Sequence, residues 1–175
     1  MKKLMVLILI LLSSCSFWPW PPTEDNILHI PRSILPEGWR QVSLEQANEF
    51  GSSDAFRIQY GPSMFDGLIY WFVYYESYEA ATSAFEEYRG LGMEGEDLWM
   101  DSADFDLQIA DSYDAKCKNT IFRGHESQIC NAQMQYGRCL TLISVQIDDV
   151  FKLEPDFLAV LDYIESNISS VYYCG

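Results

Sequence analysis

Basic residues are scarce in this sequence. Its 175 residues include 11 lysines and arginines against 26 aspartates and glutamates, which gives a formal net charge of −15 at pH 7. Because the phosphates of nucleic acids are bound through lysine and arginine, this charge argues against a nucleic-acid partner. The same charge argues against the folded part of the chain lying on an anionic membrane surface.

The side chains and motifs of common catalytic sites are also few. His29 and His125 are the two histidines, and no G-x-S-x-G elbow is present, which argues against a Ser-His-Asp hydrolase. The sequence has no P-loop, and no glycine-rich turn joins a strand to a following helix as dinucleotide binding requires. We therefore predict no cofactor. Paired carboxylates stay open as catalytic groups, because their separation is set in space and not along the chain.

Common metal-binding patterns are missing too. No CxxC pair is present, which argues against a zinc site built on the cysteines. Residues 90–104 are rich in acidic side chains and glycine, but they lack the D-x-[DN]-x-[DN]-G spacing of a calcium loop. We interpret this stretch as a solvated loop and predict no metal site.

One continuous apolar run stands at the start of the chain. Lys2 and Lys3 precede the apolar residues 4–12, and two serines lead from this run to Cys15. The run is too short to span a bilayer, which needs about 20 residues. A basic start, an apolar segment and small residues before a cleavage point are together typical of an export signal.

The tetrapeptide Leu12-Ser13-Ser14-Cys15 resembles the lipobox of bacterial lipoproteins. The resemblance implies cleavage before Cys15, a thioether diacylglycerol on its sulfur and an acyl chain on its amine. More than one acyl chain gives stable anchoring. Ser16, in place of aspartate, is similar to lipoproteins that are sent to the outer membrane of two-membrane bacteria. The alternative is an ordinary secretory signal that leaves Cys15 as a free thiol.

Three segments follow from this interpretation. We expect a signal peptide in residues 1–14, a lipidated tether rich in proline and tryptophan in residues 15–26, and one disulfide-braced globular domain in residues 27–175. Removing residues 1–14 takes away Lys2 and Lys3, so nine basic residues face 26 acidic ones and the net charge becomes −17. Such a field favours a basic envelope or extracellular protein, or a divalent cation, as partner; otherwise it serves solubility alone.

Four cysteines remain after Cys15, at positions 117, 130, 139 and 174. An even number in an exported chain predicts two disulfides, and four cysteines allow three pairings. We favour Cys117 with Cys130, which closes a short excursion, and Cys139 with Cys174, which pins the C-terminal end onto the sheet.

Hydrophobic periodicity predicts an α+β domain. Residues 56–60 and 68–75 read as strands, and the second of these is apolar on both faces, which is typical of a central strand. Ser77 is placed to cap a helix whose apolar stripe has spacings of three and four. The second half repeats this plan: residues 104–116, 121–122, 127–136 and 139–147 read as strands, and the final helix has its apolar stripe at Phe157, Leu161, Ile164 and Ile168.

These elements predict an antiparallel sheet with two packed helices, similar to an α/β sandwich, with a repeated strand–strand–helix plan. The turn Pro36-Glu37-Gly38-Trp39 before the first strand resembles the opening of PsbP-type domains, which have such a fold.

Two functional hypotheses result. The first is a lipid-anchored envelope protein with an acidic, non-catalytic binding domain for a protein or ligand. If one face of the sheet is partly open, Tyr70, Phe72 and Tyr74 would line an apolar or sugar-stacking groove; otherwise they belong to the core. The alternative hypothesis is an envelope hydrolase that uses two buried carboxylates about 5 to 9.5 Å apart.

Overall fold

The structure is a computed structural model. It describes residues 23–47, 50–52, 54–63, 66–90, 93, 98–100, 105, 107–122, 124–147, 156–171 and 174. Cys15, the predicted signal peptide and most of the predicted tether lie outside these residues. Within them, no helix combines the length and the apolar character needed to cross a membrane.

A seven-stranded antiparallel sheet forms the centre of the domain. The strands are β1 (Arg40–Ala47), β2 (Asp54–Ser63), β3 (Asp66–Tyr74), β4 (Leu98–Met100), β5 (Ser112–Phe122), β6 (His125–Tyr136) and β7 (Cys139–Ile147). Their spatial order is β1-β2-β3-β7-β6-β5-β4, so two meanders meet where β3 pairs with β7.

Two helices pack on opposite faces of this sheet. Helix α1 (Tyr78–Tyr88) begins after Ser77, whose hydroxyl accepts the Ala80 N–H at 3.1 Å as the N-cap. Helix α2 (Leu158–Asn167) lies on the other side. We call the two sides the α1 face and the α2 face. The predicted α+β class, an antiparallel sheet with two packed helices, is confirmed, whereas the repeat of the two halves stays a prediction.

The α2 face carries the larger core. Phe56, Ile58, Tyr60, Leu68, Tyr70, Phe72, Met134, Ile143, Val160, Leu161 and Ile164 are all buried in one cluster there. The segment before β1 adds Ile27, Leu28, Ile30, Leu35 and Trp39. The Tyr60 hydroxyl accepts the Ile30 N–H at 3.0 Å and so ties this segment to β2. Burial raises the pKa of Tyr60 to about 12, and the hydroxyl stays protonated at neutral pH.

The cysteines form the two disulfides that we favoured. Cys117 and Cys130 are directly paired across β5 and β6, with their Cα atoms 4.1 Å apart. Cys139 and Cys174 have Cα atoms 5.1 Å apart, and their bond ties the chain after α2 to the start of β7. Disulfide bonding, as predicted from the even cysteine count, is therefore confirmed.

Two local predictions were wrong. Residues 107–111 are not part of a strand, because β5 begins only at Ser112. Their apolar residues alternate as in a strand, but the Ile109 side chain is 55 % exposed. The backbone N–H of Ile109 donates to the Glu165 carboxylate on α2 and does not pair with a neighbouring strand. Within the stretch predicted as a solvated loop, Leu98–Met100 forms β4 and pairs with β5.

Candidate functional site

The predicted aromatic groove is not an open surface. Tyr70 and Phe72 are completely buried and Tyr74 is 7 % exposed, because all three side chains point into the core of the α2 face. Helix α2 and the segment before β1 cover that face. The three residues therefore belong to the core, which is the other interpretation that the sequence allowed.

An open cleft of about 220 Å³ lies instead on the α1 face. Its floor consists of two rows of residues that are paired across β3, β7, β6 and β5. One row is Trp71, Leu142, Gln133 and Asp114, and the other is Ser144, Asn131 and Lys116. Helix α1 has 11 residues, a length of ~16 Å, whereas β7 has nine residues and spans ~30 Å. The helix is too short to cover the whole face, and the cleft is the part left open.

Helix α1 is fixed over the neighbouring part of the sheet. Ala81, Ala84 and Phe85 pack against the small apolar cluster of Ala55, Val73, Tyr75 and Leu140. The Gln133 Nε2 atom donates to the Phe85 carbonyl at 2.9 Å, and the Gln135 Nε2 atom donates to the Thr82 hydroxyl at the same distance. These contacts hold the C-terminal end of α1 as one rim of the cleft.

Three aromatic side chains form one wall of the cleft. Phe50 meets Trp71 edge to face, with ring centroids 6.2 Å apart, and it meets Tyr88 in the same way at 5.0 Å. Such perpendicular pairs are favourable beyond the area that they bury. The wall brings together β3, the end of α1 and the turn between β1 and β2.

Phe50 has a backbone conformation that non-glycine residues rarely adopt. Its φ is 60°, the one positive value among the described non-glycine residues. Such a conformation costs on the order of 1–3 kcal/mol, and it persists where the surroundings enforce it. The Tyr75 hydroxyl donates to the Phe50 carbonyl at 2.8 Å, and burial raises the pKa of Tyr75, so this donor stays protonated. The fold thus holds the Phe50 ring at the cleft against a local strain.

A charged cluster borders the opposite side of the cleft. The Asp114 side chain is 3 % exposed; its Oδ2 atom lies 3.2 Å from the Lys116 Nζ atom and its Oδ1 atom 3.9 Å from the Arg89 Nε atom. Gly90, with a φ of 68°, follows α1 here, and a Cβ atom on it would lie 2.8 Å from the Lys116 Nζ atom. The glycine therefore lets the helix end and the ammonium group share this space.

One polar atom of the cleft has no partner. Asn131 lies on the floor between Lys116 and Ser144, and its Oδ1 atom is buried without a hydrogen bond. A buried carbonyl oxygen without a donor costs about 1–3 kcal/mol. Because Asn131 lines the cleft, a bound molecule that brings a hydrogen-bond donor to this oxygen would remove that cost.

A second cavity, of about 410 Å³, lies near the other end of the sheet. It is lined by Tyr78, Ile109, Asp111, Tyr136, Gly137, Ile168, Ser169 and Cys174. Within this lining, the Asp111 carboxylate accepts the Gly137 N–H at 2.6 Å. None of these residues carries a buried polar atom without a partner, so the cleft on the α1 face is the stronger candidate.

The buried carboxylates bear on the hydrolase alternative. Asp114 and Glu165 are the two acidic residues that are buried in the part of the chain that the structure describes. Asp114 lies on the α1 face with its cations, whereas Glu165 lies on α2 and accepts the N–H groups of residues 108–110. The two acids are on opposite sides of the sheet and do not form the predicted pair. The hydrolase alternative stays a prediction that no described contact favours.

His29 does not join the cleft. The His29 ring contacts the Gln41 side chain at 3.1 Å and the Glu24 carbonyl at 3.2 Å, at the surface. The side chain of His125 lies outside the described residues. Groups of three or more His, Cys, Asp or Glu side chains that could hold a metal ion are absent from the part of the chain that the structure describes.

Sequence reasoning chose the wrong face of β3. Trp71 stands between the residues of the predicted groove, and period-two alternation alone turns it to the opposite side of the sheet. A second signal was the polar alternation of Asn131, Gln133 and Gln135 on β6 and of Asp114, Lys116 and Lys118 on β5. Phe50 gave no signal, because only the tertiary fold brings it to Trp71.

No protein-family model matches this chain, and neither a curated protein nor a solved structure matches it.

Proposed function

We propose that this chain is a lipid-anchored protein of the cell envelope whose acidic, disulfide-braced domain binds a ligand or a protein without catalysing a reaction. The observation that carries the binding role is the cleft on the α1 face. It combines an aromatic wall, a strained residue that is held in place, and a buried carboxamide oxygen without a partner. Features of this kind are typical of ligand sites.

Two observations support the envelope location. The sequence that ends at Cys15 resembles the lipobox of lipoprotein precursors. Two disulfides brace the domain, and such bonds persist in oxidising compartments outside the cytoplasm. In this proposal, the lipid on Cys15 holds the domain at the membrane, at the outer membrane where the cell has one.

The anchor is tested by replacing Cys15 with alanine in the producing cell. We expect Cys15→Ala to abolish acylation and globomycin-sensitive processing, because the sulfur that accepts the lipid is gone. Intact mass and partition into detergent would be measured, and Ser14→Ala serves as the control that keeps a small residue before the cysteine. Wild-type protein that begins at Met1 and carries no acyl mass would refute the anchor.

The acid excess also supports a basic protein as partner. Nine basic residues face 26 acidic ones after residues 1–14 are removed, and a field of that sign attracts positively charged proteins. We expect the immobilised protein to retain cytochrome c, a basic probe, at about 50 mM salt and to release most of it at about 300 mM, because salt screens exposed charges. Ovalbumin, an acidic probe, is the control. Retention of cytochrome c that does not change with salt would contradict an electrostatic contact.

A further inference from the structure

We infer that the cleft on the α1 face binds a neutral sugar ring, as part of a glycan or as a free saccharide. This inference rests on the proposed binding function and names the chemical class of its ligand. It differs from the basic-partner contact, which uses the acid excess of the whole surface. Four properties of the cleft lead to it: size, aromatic wall, polar floor and charge balance.

The size of the cleft fits one substituted ring. A cavity of roughly 150 Å³ in a protein interior accommodates benzene. The present cleft, of about 220 Å³, therefore has room for one six-membered ring with its substituents, with further units of a chain extending into solvent.

The aromatic wall provides a surface for the ring to stack on. Trp71 and Tyr88 line the cleft, and Phe50 holds the two in place by edge contacts with both. The face of an aromatic ring carries partial negative charge. The C–H groups on one face of a pyranose ring carry partial positive charge and match that surface, while its hydroxyl groups point to the sides.

The polar side chains on the floor favour a ligand that carries hydroxyl groups. The Asn131 Oδ1 atom needs a donor, and a hydroxyl group both donates and accepts hydrogen bonds. A hydroxyl satisfies the carboxamide in either of its two orientations, which differ only in the exchange of oxygen and nitrogen. The neighbouring Lys116 ammonium group, 26 % exposed, can donate to a second hydroxyl. A purely apolar ligand would leave the Asn131 oxygen unpaired and would add to its cost.

Asp114 and Lys116 are the charged residues among the described lining of the cleft, and they pair with each other at 3.2 Å. Further out, Arg89 lies 3.9 Å from both Glu86 and Asp114, and Arg57 lies 3.9 Å from Glu45. Arg57 also lies 6.0 Å from the centre of the Trp71 ring. A charged ligand would have to compete with these ion pairs and would lose its hydration, whereas a neutral ring would not.

A peptide strand is a poorer fit. The floor is the face of the sheet, where the strands beneath the cleft are paired with one another on both sides. Strand addition needs a free edge, and the edges here are β1 and β4, away from the floor of the cleft. A peptide would therefore find side-chain contacts alone.

The test uses the full mature lipoprotein in a detergent without a sugar head group. Glucose, galactose, mannose, N-acetylglucosamine and cellobiose are titrated up to about 10 mM, and binding is followed by calorimetry and by NMR shifts of the tryptophan indole N–H groups. Glucuronate and glucosamine, the charged analogues, and indole, a flat apolar ring, are the comparison probes. We expect at least one neutral saccharide to bind and to shift the Trp71 signal, and its charged analogue to bind at least about 10-fold more weakly.

Variants locate the binding. We expect Trp71→Ala and Tyr88→Ala each to weaken the affinity about 3- to 10-fold through loss of the aromatic contact, and Trp71→Phe to retain part of it. Tyr78→Ala, on the same helix but outside the cleft, should leave the affinity unchanged. Asn131→Leu should weaken binding about 10-fold without lowering the thermal unfolding temperature, because it removes a polar atom that has no partner in the free protein. Asn119→Leu, at an exposed position of β5 outside the cleft, is its control.

The outcomes separate the two proposals. If none of the neutral saccharides binds, or if binding is unaffected by Trp71→Ala and Asn131→Leu, the sugar assignment is overturned. If indole or a charged analogue then shifts the Trp71 signal, the binding function stands with another ligand class. A loss of stability in Asn131→Leu would assign Asn131 to the scaffold and would also contradict the inference.

Discussion

Removing the bond between Cys139 and Cys174 is expected to lower the free energy of unfolding by about 4 kcal/mol. The bond joins residues 35 positions apart and so restricts the unfolded chain. Without this bond, the unfolded chain gains conformational entropy, and unfolding becomes more favourable. The double variant Cys139→Ala with Cys174→Ala is preferable to serine, because both sites are buried and a hydroxyl there would need a partner. Urea unfolding of wild-type and variant proteins measures the difference.

The second disulfide provides the matched control. Cys117 and Cys130 are separated by 13 residues, and the same relation gives about 3 kcal/mol for the double alanine variant. The measured loss should be smaller than this, since the ladder of β5 and β6 already holds the two residues opposite each other. The loop-length explanation fails if the hairpin bond contributes as much as the long-range one.

Glu165→Ala is expected to lower the free energy of unfolding by about 3 kcal/mol. The Glu165 Oε2 atom accepts the Gln108 N–H at 2.9 Å, and its Oε1 atom accepts the N–H groups of Ile109 at 3.1 Å and Ala110 at 2.9 Å. Hydrogen bonds to a charged group contribute about 1.5–3 kcal/mol each. When the carboxylate is removed, water binds the freed N–H groups and offsets part of this loss. Urea unfolding gives the loss, and hydrogen exchange at residues 108–110 reports where it arises.

Two further variants separate the carboxylate from the helix that carries it. Glu165→Gln keeps one acceptor oxygen and turns an NH2 group toward backbone donors, so an intermediate loss is expected. Asp162→Ala, an exposed site on the same helix, should change the stability by less than about 0.5 kcal/mol. If Asp162→Ala increases the hydrogen-exchange rate at residues 108–110 as much as Glu165→Ala does, the role given to Glu165 is contradicted.

The elements that depend on local pattern were predictable. Strand β7 has the bounds predicted from its β-branched and leucine-rich sequence, and α1 begins directly after its predicted cap at Ser77. The hairpin turn at Gly124 also matches, because its φ of 82° suits glycine. Each of these signals lies within a few residues of the feature that it predicts.

The features that depend on distant contacts were not predictable. Residues 107–111 alternate like a strand, but the N–H groups of residues 108–110 donate to a carboxylate more than 50 residues further along the chain. Alternation also assigned the side chains of β3 to two faces without showing which face stays open. That depends on the length of α1 and on where it packs, and neither follows from β3 itself.

The amino-acid sequence by itself determined the acidic charge, the lipoprotein-like start, the α+β class and an even set of cysteines, since each is a property of composition or of short-range spacing. Tertiary structure alone decided which aromatic residues are core and which line a cleft. It also brought Phe50, Trp71, Tyr88 and Asn131 together from four separate elements. The physical reason is that burial is shared between elements: a side chain is covered or open according to what the rest of the chain places against it.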